Sequence, residues 1–193
     1  LVGAGLGALG AIGLLLLVFP LTVLTVLGAL GILAAGLATW ELGLKPRVRF
    51  LAPGLIVLVA LVVGGRGLDL QLSPYKSLSQ TLRLPGAKVI AERSSPLGLI
   101  SVVETKRRPL RHAPGLSLMA TAGPPMQLGI FTDGDGLTAI TDVSGGRQSL
   151  AYLDQLTWAA PYHLLQPQRV LILGAGGGSE ILQARMHGVP RID

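Results

Sequence analysis

The chain has 193 residues, half of them hydrophobic, no cysteine, and a formal net charge of +6 from 16 basic and 10 acidic side chains. Without cysteine there is no disulfide framework, no Cys-type zinc site and no thiol nucleophile. The basic excess is modest and lacks interleaved aromatics, so nucleic acid is not among the expected partners.

Residues 1–40 contain no charged side chain and are dominated by Gly, Ala, Leu and Val. At about 1.5 Å per helical residue this run is twice what one bilayer crossing needs. Pro20 interrupts it, which predicts two helices joined by a tight turn around residues 19–22. A short basic loop at 41–49 carries Lys45, Arg47 and Arg49, and a third, shorter apolar run, opened by Pro53, spans 50–65. Small residues at Gly3, Gly7, Gly10, Gly28, Gly31 and Gly36 suit close helix packing in lipid. A signal peptide does not account for the run, because no basic segment precedes it and it is too long. A buried soluble core does not either, because forty uncharged residues leave no solvated face. A multi-pass segment of two or three spans over residues 1–65, in the cell membrane, is therefore expected. The basic loop would place the soluble part outside under the positive-inside rule. A nucleoside ligand would place it in the cytoplasm. Arg66 and Lys76 beside the last span favour the cytoplasmic side.

Residues 66–147 read as a linker and a small β-strand domain. Strand candidates at 87–93 and 99–105 flank Ser94-Ser95-Pro96, and those at 126–132 and 137–143 flank Asp133-Gly134-Asp135-Gly136. Asp133 and Asp135 are the residues that turn geometry asks for at a hairpin tip, which is a simpler reading than metal ligation. Lys106-Arg107-Arg108-Pro109-Leu110-Arg111 is a basic knot suited to a solvated loop, or to anionic lipid head groups. His112, His163 and His187 show no metal-ligand spacing, and no metal is expected.

Residues 148–193 open with a helical pattern at 148–158, ended by Pro161, which would set Tyr152, Leu156 and Ala159 on one face. Then comes Arg169-Val-Leu-Ile-Leu-Gly-Ala-Gly-Gly-Gly, predicted to be a buried parallel strand running into a glycine turn. A helix follows from Ser179 to His187, with Gly188 as its stop. Its N-terminus presents unpaired N–H groups to the turn. A P-loop would need Lys and Ser/Thr after its last glycine, and they are missing. The dinucleotide pattern fits Gly174 and Gly176 but puts its third glycine on Ser179. The compact Gly-x-Gly-x-Gly form of S-adenosylmethionine-type sites fits Gly174, Gly176 and Gly178 without mismatch. A glycine-rich turn with no ligand is the plain alternative. The expected fold is thus an α-helical transmembrane segment, a small antiparallel β-hairpin domain, and the start of an α/β Rossmann-like domain.

This order of parts resembles the polyamine aminopropyltransferases, the spermidine synthase family. Ser95-Pro96-Leu97-Gly98-Leu99-Ile100, Phe131-Thr132-Asp133-Gly134, Tyr152-Leu153-Asp154 and residues 169–178 carry the likeness, over residues 87–193. The hydrophobic leader is similar to that of the membrane-fused branch. The resemblance implies aminopropyl transfer from decarboxylated S-adenosylmethionine to a small amine. The cofactor would lie on Gly174, Ala175, Gly176, Gly177 and Gly178, with Tyr152 and Asp154 lining the substrate groove. This chain departs from the family pattern at three places. Gly177 replaces an Asp, Leu153 replaces a polar residue, and Leu97-Gly98 stands where Tyr-Gln is usual. The resemblance places the catalytic carboxylates beyond Asp193, so with its start lacking Met the chain is expected to be a fragment, inactive alone. Methyl transfer from S-adenosylmethionine is the enzyme alternative, and a non-catalytic ligand-sensing domain on a transporter is the other. The lipid bilayer and a homo-oligomeric copy complete the expected partners.

Overall fold

The computed structural model describes residues 2–41, 54 and 72–193. The basic loop at 42–49 and, apart from Gly54, the expected third apolar run lie outside the described residues. Two compact units divide the chain: Leu1–Gln71 with Ser94–Gly98, and Leu72–Arg93 with Leu99–Asp193.

The first unit contributes two helices, α1 (Val2–Leu17) and α2 (Pro20–Glu41). Pro20 does not sit within a four-residue turn, as expected; it is the first residue of α2. Its missing N–H is harmless there and its fixed φ suits the first turn, so the break narrows to Val18 and Phe19. Within α2, Pro20–Ala38 is long and apolar enough to cross a membrane, whereas α1 is shorter. One described helix therefore meets the length that a bilayer sets. A Cβ at Gly3, Gly7, Gly10, Gly28 or Gly31 would meet nothing within 4 Å. Among the described residues these glycines do not bring the helices into the close approach their spacing predicted.

The second unit is built on a four-stranded sheet of order β1 (Ala87–Ser95), β2 (Gly98–Thr105), β3 (Gln127–Thr132) and β4 (Asp135–Thr141). Strand β3 pairs antiparallel with both β2 and β4, in registers that include Ser101 with Phe131 and Gly129 with Ala139. Alternation puts Ser101, Val103 and Thr105 of β2 and Gln127 and Phe131 of β3 on the buried face. Leu78 of the short helix α3 (Ser77–Leu82) closes this core against Val103 and Phe131. Strand β1 is largely exposed and carries charges, including a Lys88–Glu104 ion pair at 3.4 Å, as suits a sheet edge.

The tip between β3 and β4 is tighter than expected. Only Asp133 and Gly134 form it, with φ of 52° and 77°, the doubly left-handed pair that a two-residue hairpin requires. Asp133 Oδ1 accepts from Leu99 N at 2.8 Å, which joins the tip to β2. Asp135 belongs to β4, and its Oδ1 accepts from Ser77 Oγ at 2.6 Å. That bond is the chief cause holding the Asp135 carboxyl below its ordinary 3.8. The two aspartates thus tie the hairpin to β2 and to α3.

The expected helix at 148–158 is broken into pieces. Helix α4 (Gly146–Ser149) gives way to 3-10 turns at Ala151–Gln155 and Thr157–Ala159. Leu156 leaves helical geometry (ψ 147°) to make a β-bridge with Leu116, so a tertiary pairing overrides local periodicity. Tyr152, Leu156 and Ala159, expected on one face of that helix, are all buried. Pro161 does not end a helix; it lies in the first turn of α5 (Ala160–Leu165).

Strand β5 (Arg169–Val170) pairs parallel with β6 (Arg191–Ile192), and helix α6 (Ser179–Met186) crosses between them. Parallel neighbours require such a crossover. Helix α6 ends as predicted, with Gly188 at φ 71° and its N–H donating to Arg185 O at 3.0 Å. The strand is not buried as expected: Leu171 and Leu173 are 67% and 85% exposed. A two-stranded pair has too little width to be covered on both faces.

Candidate functional site at the glycine turn

Between β5 and α6 the backbone turns through Gly174, Gly176 and Gly178 at φ of 74°, 51° and 86°. All three angles lie in the left-handed region that disfavours a side chain, so the Gly-x-Gly-x-Gly pattern corresponds to a real backbone demand. Gly178 N donates to Ala175 O at 2.7 Å, and Leu182 N donates to Gly178 O at 3.0 Å, which locks the turn onto the helix. Gly178 is the N-cap and has no side chain with which to satisfy the first N–H groups of α6.

A cavity of about 180 Å³ opens beside this turn. Gly174, Ala175, Gly176 and Gly177 form one wall, together with Ser179 and Glu180 of α6. Leu137, Thr138 and Ala139 of β4 form a second wall. His112, Tyr152 and Trp158 complete it. The turn packs close to β4: a Cβ at Gly176 would lie 3.3 Å from the Thr138 side chain, and one at Gly177 would overlap the Ala139 carbonyl. Gly177 is therefore required by the neighbouring strand rather than by the turn.

Tyr152 is fully buried, and its hydroxyl shares a 2.9 Å hydrogen bond with Thr141 Oγ1. Thr141 Oγ1 accepts from Gln127 Nε2 at 3.1 Å, and Gln127 Oε1 accepts from His112 N at 2.6 Å. The tyrosine thus offers its ring to the cavity while its polar end belongs to a buried network. Trp158 lines the same cavity, and its Nε1–H is buried without a hydrogen-bond partner. Such a donor lacks the acceptor that buried polar groups normally find. Gln183 of α6 is buried and donates from Nε2 to Leu153 O at 2.7 Å, anchoring the helix to the Tyr152 segment.

The residues expected in the site are brought together only in part. Tyr152 and positions 174–177 line one cavity, while Gly178 stands behind it as the cap. Asp154 lines a different, larger cavity with His163 and His187. His163 Nε2 lies 2.7 Å from Asp154 Oδ1, and His187 Nε2 lies 3.2 Å from the same oxygen. Tyr162 stacks on the His187 ring at 4.9 Å between centroids. Burial, and then the Glu180 carboxylate, push the Tyr162 phenol above its ordinary 10.0. Sequence reasoning found neither Trp158 nor Gln183 nor the histidine pair. Tryptophan and glutamine carry no motif of their own, and nine residues separate Asp154 from His163 across a helix start.

No protein-family model, no curated protein and no solved structure matches the chain.

Proposed function

We propose that this is a membrane-anchored, spermidine synthase-like protein whose β5–α6–β6 unit begins a Rossmann-like domain for an S-adenosylmethionine-type ligand. The observation that carries this reading is the left-handed triplet Gly174, Gly176 and Gly178 between a parallel strand and a helix N-terminus. Trp158 and Tyr152 in the adjoining wall support it, because ligand pockets are lined largely by aromatic and apolar side chains. At about 180 Å³ the cavity is below the roughly 300–1,000 Å³ of whole-ligand pockets, so it suits part of a nucleoside.

In the reaction proposed, a neutral small amine would form a C–N bond to the aminopropyl carbon of decarboxylated S-adenosylmethionine as its C–S bond breaks, releasing the thioether nucleoside and one proton. The cofactor supplies an activated sulfonium carbon. The chain's own part is to let backbone approach the ligand at 174–178, to offer α6 N–H groups, and to wall the site with Tyr152. Glu180 is a carboxylate that lines this cavity. Anchoring by α2, with further spans, would hold the site at the cytoplasmic face of the cell membrane.

Methyl transfer from intact S-adenosylmethionine is the second reading, and Gly177 favours it. The family's Asp at that position balances the ammonium of the decarboxylated cofactor, and here a side chain would collide with Ala139.

Calorimetric titration of the detergent-solubilised chain with both cofactor forms tests the proposal. Tighter binding of the decarboxylated form, weakened when Trp158 is replaced by Phe, is the expected result. Preference for the intact form transfers the assignment to methyl transfer. Binding of neither form refutes both enzymes and leaves a ligand-sensing domain on a transporter.

A further inference from the structure

We propose that Asp154, His163 and His187 bind one divalent transition-metal ion of the zinc class, at a site outside the glycine-turn cavity. The three side chains come from separate elements. Asp154 lies in the first 3-10 turn, His163 in the last turn of α5, and His187 is the C-cap of α6. Their candidate ligand atoms all lie within 4.8 Å of one another. Two imidazoles converge on a single carboxylate oxygen, at 2.7 and 3.2 Å. In a tetrahedral site with ligand bonds of about 2.0–2.2 Å, ligand atoms stand about 3.4 Å apart. The two distances to Asp154 lie within an ångström of that spacing, and the His163 side chain is half exposed and has room to adjust.

A simple hydrogen-bonded cluster leaves one atom unexplained. His163 Nε2 is hydrogen-bonded to Asp154, but His187 Nε2 is shielded from solvent and has no hydrogen-bond partner despite its closeness to the carboxylate. A metal at the common focus would satisfy it. The ring is also held in place for that role: Tyr162 stacks on it with an interplanar angle of 8°, and His187 N donates to Gln183 O at 3.0 Å. Both histidines end helices, where the backbone's partial negative charge favours a cation. Two neutral imidazoles and one carboxylate suit zinc, cobalt, nickel or copper, and are poor ligands for magnesium or calcium, which take oxygen. Three protein ligands leave a fourth position for water, as at reactive zinc sites. The neighbouring cation that opposes this is Arg147, which lines the same cavity while its Nη2 donates to Met186 O at 2.8 Å.

This assignment is independent of the transferase reading, and it takes Asp154 out of the amine groove. The test is titration of the untagged, chelator-stripped full chain in detergent with cobalt(II), read by its visible ligand-field band. One equivalent per chain, an intense tetrahedral-type band and its displacement by zinc are expected. His163→Ala and Asp154→Asn should each weaken binding by more than the roughly 10–100-fold typical of losing an outer-shell partner. His112→Gln should leave it unchanged. His163 is exposed enough that its replacement spares the fold, which circular dichroism of each variant checks. Absence of the band, or a band that survives both His163→Ala and His187→Ala in folded protein, overturns the proposal.

Discussion

Thr141 shows how a single hydroxyl can decide the character of a site. It sits between Gln127 Nε2 and the Tyr152 hydroxyl, in a part of the core that water does not reach. Thr141→Val keeps the shape but leaves both partners short of a bond, which should cost about 1–3 kcal/mol. Tyr152→Phe removes one end of the chain instead and leaves Thr141 bonded to Gln127, so about 1 kcal/mol is expected. Urea denaturation of the two single variants and the double variant measures the coupling. Additive losses would show that the hydroxyls do not depend on each other. The family resemblance implied that Tyr152 lines a substrate groove. The structure puts its polar end to internal use, and neither Thr141 nor Gln127 carries a pattern that could have revealed this.

At the scale of elements, the glycine turn is where sequence and structure agree best. Three glycines spaced by two are legible because left-handed backbone excludes most other residues. The fourth, Gly177, is a different case. Its φ is not among the left-handed ones, and the constraint on it comes from Ala139 of β4. Gly177→Asp, which restores the acid of the resembling family, should therefore destabilise rather than improve the site, by about 3 kcal/mol as for overpacking. A thermal melt checks this directly; an unchanged midpoint would mean that β4 and the turn separate easily. The same tertiary logic explains the broken helix at 148–158. Hydrophobic spacing predicted a shared helical face for Tyr152, Leu156 and Ala159, but the Leu116–Leu156 bridge breaks the helix that would present it.

For the whole molecule, the strongest expectation concerns the membrane. Pro20–Ala38 has a mean hydropathy of 2.2 and almost none of it is buried within the chain. A helix so apolar and so exposed calls for cover by lipid or by protein, and its length suits a bilayer. The chain should remain with membranes through alkaline carbonate extraction. Replacing Leu27 and Leu30 by Asp, at about 2.5–3.5 kcal/mol each near a helix centre, should release it. Extraction of the unmodified chain into the soluble fraction would refute the anchor.

By itself the amino-acid sequence determined the features that depend on local chemistry. These are the apolar helices at the start, the strands of the sheet with a turn between β3 and β4, and the glycine turn with its helix and Gly188 stop. Each follows from periodicity or from a backbone angle that few residues accept. Only the tertiary structure decided what faces what: Ala139 against Gly177, Thr141 against Tyr152, and Asp154 between His163 and His187. Those pairings join residues that are distant along the chain, and no local preference records them.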